Sequence, residues 1–118
     1  MISSSEFEDL VEDALRSLPK RFATLLDNVA VVVEDEPGDD DLDVLENDDA
    51  ELLGIYRGTA LTHRTHDMLP HLPDTIAIFR GPILRTSRNR NDAVQQVRET
   101  VIHELGHYFG LSDEDMHY

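Results

Sequence analysis

Two histidines and a glutamate stand at positions 103, 107 and 104 in the run Val101-Ile102-His103-Glu104-Leu105-Gly106-His107-Tyr108-Phe109-Gly110-Leu111-Ser112-Asp113. On a helix, residues four apart sit one turn above each other. His103 and His107 would then present two imidazoles on one face at the spacing a single tetrahedral Zn²⁺ takes. Glu104 follows one position round, too far aside to ligate the ion but close enough to take a proton from a metal-bound water. That is the general-base role in metal-assisted hydrolysis. Gly110 lets the chain leave the helix in a left-handed turn, which can return Asp113 to the same ion as a third, oxygen ligand. His117 competes for that place. Ordering backbone so near the terminus costs about 1–2 kcal/mol per residue with few contacts to offset it, so Asp113 is favoured. The reading without chemistry is the end of an amphipathic helix, with a glycine stop and an acidic tail.

A long helix must carry this run. Asn89 or Asn91 can cap it, Asp92 lies favourably near its positive end, and the pattern extends to about Phe109. At 100° per residue, Val94, Val97, Val101, Leu105 and Tyr108 fall within a sector of ~80°, and the two histidines lie roughly 160–240° from its centre. The back of the helix should therefore pack on a core while its front lines a cleft. Ahead of it, Ser5-Glu6-Phe7-Glu8 fits a capping box that opens a helix. Phe7, Leu10, Val11, Ala14, Leu15 and Leu18 give that helix one apolar stripe, ended by Pro19. Phe22, Leu25 and Leu26 predict a second short helical turn to about Asn28. Val29-Ala30-Val31-Val32-Val33 reads as a strand covered on both faces, central in a sheet. Leu52 to Tyr56 predicts another strand, with Gly54 and Gly58 marking a bulge or a close backbone approach, and Tyr56 reads as a packed aromatic. Thr75 to Phe79 is a third strand, ended by Gly81-Pro82.

At 118 residues the chain has the size of one domain, residues 1–118, with a single modest core. It lacks cysteine, so disulfides and thiolate zinc sites are excluded and only histidine and carboxylate remain as ligands. The formal net charge of −15 opposes a phosphate backbone; nucleic acid is not an expected partner, and basic peptide segments are favoured instead. Much of that charge lies between Glu34 and Glu51, where eleven acids meet no Lys or Arg. This stretch reads as a solvated, mobile loop, since Asp39, Asp40, Asp41 and Asp43 lack the alternating oxygens of a calcium loop. His63, His66 and His71 sit among turn residues without ligand spacing. No apolar run suits a membrane span or a secretory leader, so the expectation is a cytoplasmic monomer without membrane contact.

The pattern H-E-x-x-H-x-x-G-x-x-D at His103 to Asp113 resembles the zincin metallopeptidases, in the metzincin-like form with Asp as third ligand. It is most similar to the small bacterial minimal zincins, whose shared blocks also resemble Leu52-Leu53-Gly54-Ile55-Tyr56-Arg57-Gly58 and Asp74-Thr75-Ile76-Ala77-Ile78-Phe79. The resemblance implies an α+β minimal zincin fold: N-terminal helices, a small mixed sheet of three or four strands, and a C-terminal metal-binding helix. It implies zinc-dependent hydrolysis of a peptide or protein substrate, with His103, His107 and Asp113 on Zn²⁺ and Glu104 as base. It also puts the substrate along the edge of the Thr75–Phe79 strand or its neighbour. A non-catalytic, zinc-stabilised module that binds a protein or peptide is the alternative, in which the same ligands tie the helix to the tail.

Overall fold

In the computed structural model, residues 2–42, 51–58 and 74–108 are described, Asn28, His107 and Tyr108 as backbone. Helix α1 runs Ser4–Arg16 and buries Phe7, Leu10, Val11 and Ala14, the expected stripe. Its cap is Ser3, not Ser5: the Ser3 hydroxyl accepts the Glu6 N–H at 3.2 Å. Both serines stand three residues before a glutamate, and the apolar residues decide between the two frames. Only with Ser3 as cap do Ile2 and Phe7 occupy the two positions of a hydrophobic staple, and both pack into the same core. Ser3→Ala should therefore cost about 1 kcal/mol, while Ser5→Ala, inside the first turn, changes little. Paired thermal melts check it; equal loss in the two variants would put the cap elsewhere.

Helix α2 (Lys20–Leu25) and a 3₁₀ turn (Leu26–Asn28) lead into strand β1, Val29–Glu34. After the short helix α3 (Asp39–Leu42) come β2 (Gly54–Arg57), β3 (Asp74–Phe79), α4 (Arg80–Arg85) and α5 (Arg90–Tyr108). The described sheet is mixed, in the order β1-β3-β2. Strand β1 pairs parallel with β3, Val31 opposite Ile76; β2 pairs antiparallel with β3, Tyr56 opposite Ile76. The centre is thus β3, whose Ile76, Ala77, Ile78 and Phe79 are wholly buried. The expectation that the valine run is central and covered on both faces is corrected: β1 lies at an edge of the described sheet, and Val32 is 37 % exposed. An apolar run reports burial of side chains, and Val29, Val31 and Val33 do pack on the core; it does not report whether both edges of a strand are paired.

Helix α5 packs against α1 on one side and against β2 and β3 on the other. Its N-cap is Asn89, whose side-chain oxygen accepts the Asp92 N–H at 2.9 Å, and the Asp92 carboxylate reaches back to the Arg88 N–H at 3.2 Å. Val97, Val101 and Leu105 are wholly buried, as their spacing requires, and Ala93 and Ile102 join them. Truncating one of these side chains to Ala, Leu105 for example, carries a cost of about 2–5 kcal/mol.

The described acids before β2 are largely solvent-exposed, as expected, but several of them are held in ion pairs by arginines from other elements. Arg57 of β2 grips Glu34 with both terminal nitrogens (2.7 and 3.1 Å) and Asp41 at 2.8 Å. Arg85 of α4 joins Glu36 at 2.8 Å to Glu51 at 2.6 Å, and Arg80 meets Asp35 at 3.1 Å. The hydrogen bonds from Arg85 hold the carboxyls of Glu36 and Glu51 below their usual range. These partners come from 16 to 49 residues away, so no local pattern announces them. Such exposed pairs add little stability individually but fix where the loop runs.

Candidate active site

The expected front and back of α5 are both observed. His103 is exposed, whereas its neighbours Val101, Ile102 and Leu105 are buried. The helical backbone continues through His107 to Tyr108, which sets positions 103 and 107 one turn apart on one face. Asp113 and His117, the rival third ligands, lie outside the described residues, as do His63, His66 and His71. Among the described residues no group of three or more metal-ligating side chains converges.

Glu104 is half-buried and points to the sheet. Its Oε1 accepts the backbone N–H of Tyr56 at 2.7 Å, linking α5 to a strand 48 residues earlier. The pairing of the two strands explains why that N–H is available. Phe79 N–H donates to the Leu53 carbonyl at 2.9 Å, and main-chain groups of antiparallel strands alternate in direction. Leu53, Ile55 and Arg57 therefore turn their backbone groups toward β3, and Gly54 and Tyr56 turn theirs away. Among the described strands β3 is paired on both sides and β1 and β2 are the edges, of which β2 is the one tied to α5.

Closeness at Gly54 lets α5 reach this edge. A Cβ there would stand 2.7 Å from the Ala77 carbonyl oxygen and 2.7 Å from Thr100 Cγ2. The close approach anticipated at this glycine is real, and its partner is the helix. Thr100 keeps its hydroxyl satisfied on the Gln96 carbonyl at 2.7 Å and gives its methyl to the contact. Tyr56 is the packed aromatic expected: its ring lies against the core and its hydroxyl donates to Asp74 Oδ2 at 2.8 Å.

Between the edge and the helix lies an open groove of about 230 Å³. Leu52, Leu53 and Gly54 form one wall; Gln96, Glu99, Thr100, His103 and Glu104 form the other. Among the described residues that line it there is no Lys or Arg, and Glu99 and Glu104 give it negative charge. Imidazole with carboxylate is a donor set that suits Zn²⁺, and the site fits that ion on donor chemistry. Sequence reasoning missed the Tyr56 amide, because a main-chain donor leaves no side-chain signature. It also missed Glu99 and Gln96, whose helical spacing ahead of His103 places them on the groove side.

The comparisons with known proteins agree with this architecture. A conserved hypothetical protein from Thermo thermophilus has a similar fold, with a TM-score of 0.58 at 24% identity over 92% of this chain and 94% of that one. No curated protein matches the chain. None of the described helices is long and apolar enough to cross a membrane. The sequence profile of the zincin-like metallopeptidases matches residues 26–118, which takes in all three described strands, including β2 beside the groove, and α5. By that match the chain belongs to the zincin-like metallopeptidase family, whose usual metal is zinc.

Proposed function

We propose that the protein is a zinc-dependent peptidase that takes an extended peptide along the edge of β2. One observation carries the reading: the Glu104 carboxylate is bonded to the Tyr56 amide of that edge, beside the groove that exposed His103 also lines. His103 and His107, with Asp113 after the Gly110 turn, would hold the ion. Bound there, Zn²⁺ supplies Lewis acidity toward a peptide carbonyl and acidifies water. The residues of the chain do the rest. The outward main-chain groups of Gly54 are available to pair with an extended peptide and fix its register. With Oε1 anchored on the Tyr56 N–H, Glu104 has Oε2 to receive the proton of the attacking water, and the same oxygen can return it to the leaving amine nitrogen. The anchor holds the base in one orientation, so its proton-accepting atom need not be ordered during reaction.

The test begins with zinc. Elemental analysis should find one zinc per chain, and added zinc should raise the melting temperature, since a ligand of the folded state at a hundredfold its Kd adds about 2.7 kcal/mol. His103→Ala should lose that rise, Asp113→Ala should shrink it, and His117→Ala should keep it. A chain that takes up no zinc sinks the proposal, and a rise lost only in His117→Ala transfers the third ligand.

A second reading has an observation of its own. Because Glu104 ties α5 to β2, a zinc-stabilised binding module would also have reason to keep a glutamate here. Retention of Glu104 thus does not by itself argue for catalysis, and the Glu104 variants discussed below separate the two readings.

A further inference from the structure

The groove between β2 and α5 has two unlike walls. Leu52 and Leu53 make one of them apolar, while Gln96, Glu99 and Thr100 extend the helix wall ahead of His103 and Glu104. Residues four apart on a helix share a face, so Glu99 stands one turn, about 6 Å, before His103 on the same side of α5. It is exposed, and one of its oxygens accepts the Gln95 side-chain amide at 3.1 Å. A carboxylate has room for more hydrogen bonds than that one. Glu34, Glu36, Asp41 and Glu51 are each clasped by an arginine of the chain. Among the described residues no Lys or Arg pairs with Glu99.

We propose that Glu99 makes this groove select a peptide carrying Lys or Arg close to the bond presented to His103 and Glu104. A channel with one apolar and one anionic wall is complementary to a side chain with an apolar stem and a cationic head. Lys and Arg lay their methylenes on apolar surface and keep the charge at a polar boundary, here Leu52 and Leu53 for the stem and Glu99 for the head. An aliphatic side chain gains only the first wall, and Asp or Glu is repelled by Glu99 and Glu104. Glu99 also lies on one side only of the histidine pair, about 9 Å along the helix from its centre. An extended peptide advances ~3.3 Å per residue, so the basic residue stands on one fixed side of the bond, within roughly three positions of it. One side chain suffices, whether or not the peptide pairs with β2. Its place relative to a cleaved bond rests on the peptidase reading; the preference of the groove for a cation does not.

Two assays on the zinc-loaded protein test this. In a digest of a peptide mixture read by mass spectrometry, the cuts should show Lys or Arg at one fixed position on one side of the bond. Binding is read by fluorescence anisotropy in the Glu104→Gln background, with labelled alanine-based octapeptides that carry one central Lys, norleucine or Glu. The Lys peptide should bind tightest and the Glu peptide weakest. Glu99→Gln keeps an acceptor for Gln95 and removes only the charge, so it should lower the Lys-over-norleucine ratio by roughly three- to fivefold, and Glu99→Lys should invert the order of the Lys and Glu peptides. Asp9→Asn, which removes one charge from an exposed position of α1 outside the groove, should leave the ratio as it is. An equal fall in that variant would assign the preference to the net charge of −15 and overturn the proposal. Cuts with no basic preference, or a ratio that Glu99→Gln does not move, also overturn it while leaving the peptidase reading in place. Absence of any cut, with binding that still depends on Glu99, removes the peptidase reading and keeps the role of Glu99. A protein that neither cuts nor binds these peptides refutes both.

Discussion

Glu104→Gln is expected to abolish hydrolysis of any peptide the parent cleaves, by about 10²- to 10⁴-fold, the usual contribution of a positioned general base. Its zinc-induced rise in melting temperature should stay intact. The reason lies in what each Glu104 oxygen does. The amide oxygen of Gln still accepts the Tyr56 N–H, at 2.7 Å in the parent, so the tie between α5 and β2 survives; what disappears is the capacity to hold a proton. Glu104→Ala removes both functions and leaves a half-buried amide without its acceptor, a loss of about 1–3 kcal/mol. The pair of variants separates the two readings of the site. In a peptidase, Gln and Ala are equally inactive and differ in stability. In a binding module, Gln behaves as the parent does and only Ala is impaired. Turnover measured by mass spectrometry on a peptide mixture, together with thermal melts with and without zinc, is the decisive set. Parent-like turnover in Glu104→Gln would remove the base assignment.

How far the candidate site could be foreseen depends on whether its parts are side-chain patterns or main-chain geometry. Most of the described part of helix α5 was legible, the cap only as a choice between Asn89 and Asn91. Its valines and the offset of His103 from the apolar sector follow from a period of 3.6 residues, and the observed burial of Val97, Val101 and Leu105 obeys it. The resemblance directed attention to β3 or its neighbour as the substrate edge. Choosing between them needed the pairing, because strand order is set by contacts distant in sequence that a valine run does not encode. For the same reason β1 read as central. The capping box at Ser5 has a local equivalent at Ser3, and the staple of Ile2 and Phe7 is what favours the Ser3 frame. The arginine clasps on the acidic stretch were invisible because both halves of each pair look solvated in isolation.

Gly54 connects those two kinds of information, and substituting it has the second large expected effect. Gly54→Ala adds one carbon between two surfaces that cannot both yield. The Ala77 carbonyl, 2.7 Å from the new atom, belongs to the central strand and is held by the sheet; Thr100 Cγ2, also at 2.7 Å, belongs to the helix. The helix must therefore move off β2. Overpacking of this kind costs about 1–3 kcal/mol, and Gly54→Val should exceed it because two further methyls enter the same contact. For a chain of this length, each kcal/mol corresponds to roughly 3–5 °C, so Gly54→Ala should melt about 5–10 °C below the parent. The damage should reach the site, since the displacement that relieves Thr100 also stretches the bond from Tyr56 to Glu104. Thr100→Ser supplies the control: it removes the offending methyl and keeps the hydroxyl that bonds the Gln96 carbonyl. In the Gly54→Ala background this second change should restore part of the lost stability, whereas in the parent it should lower stability slightly by thinning a packed contact. A double-mutant cycle measures the difference directly. Additive effects of the two substitutions would show that α5 does not rest on β2 through Gly54 and Thr100, and would remove the close approach as the reason Glu104 reaches the strand edge.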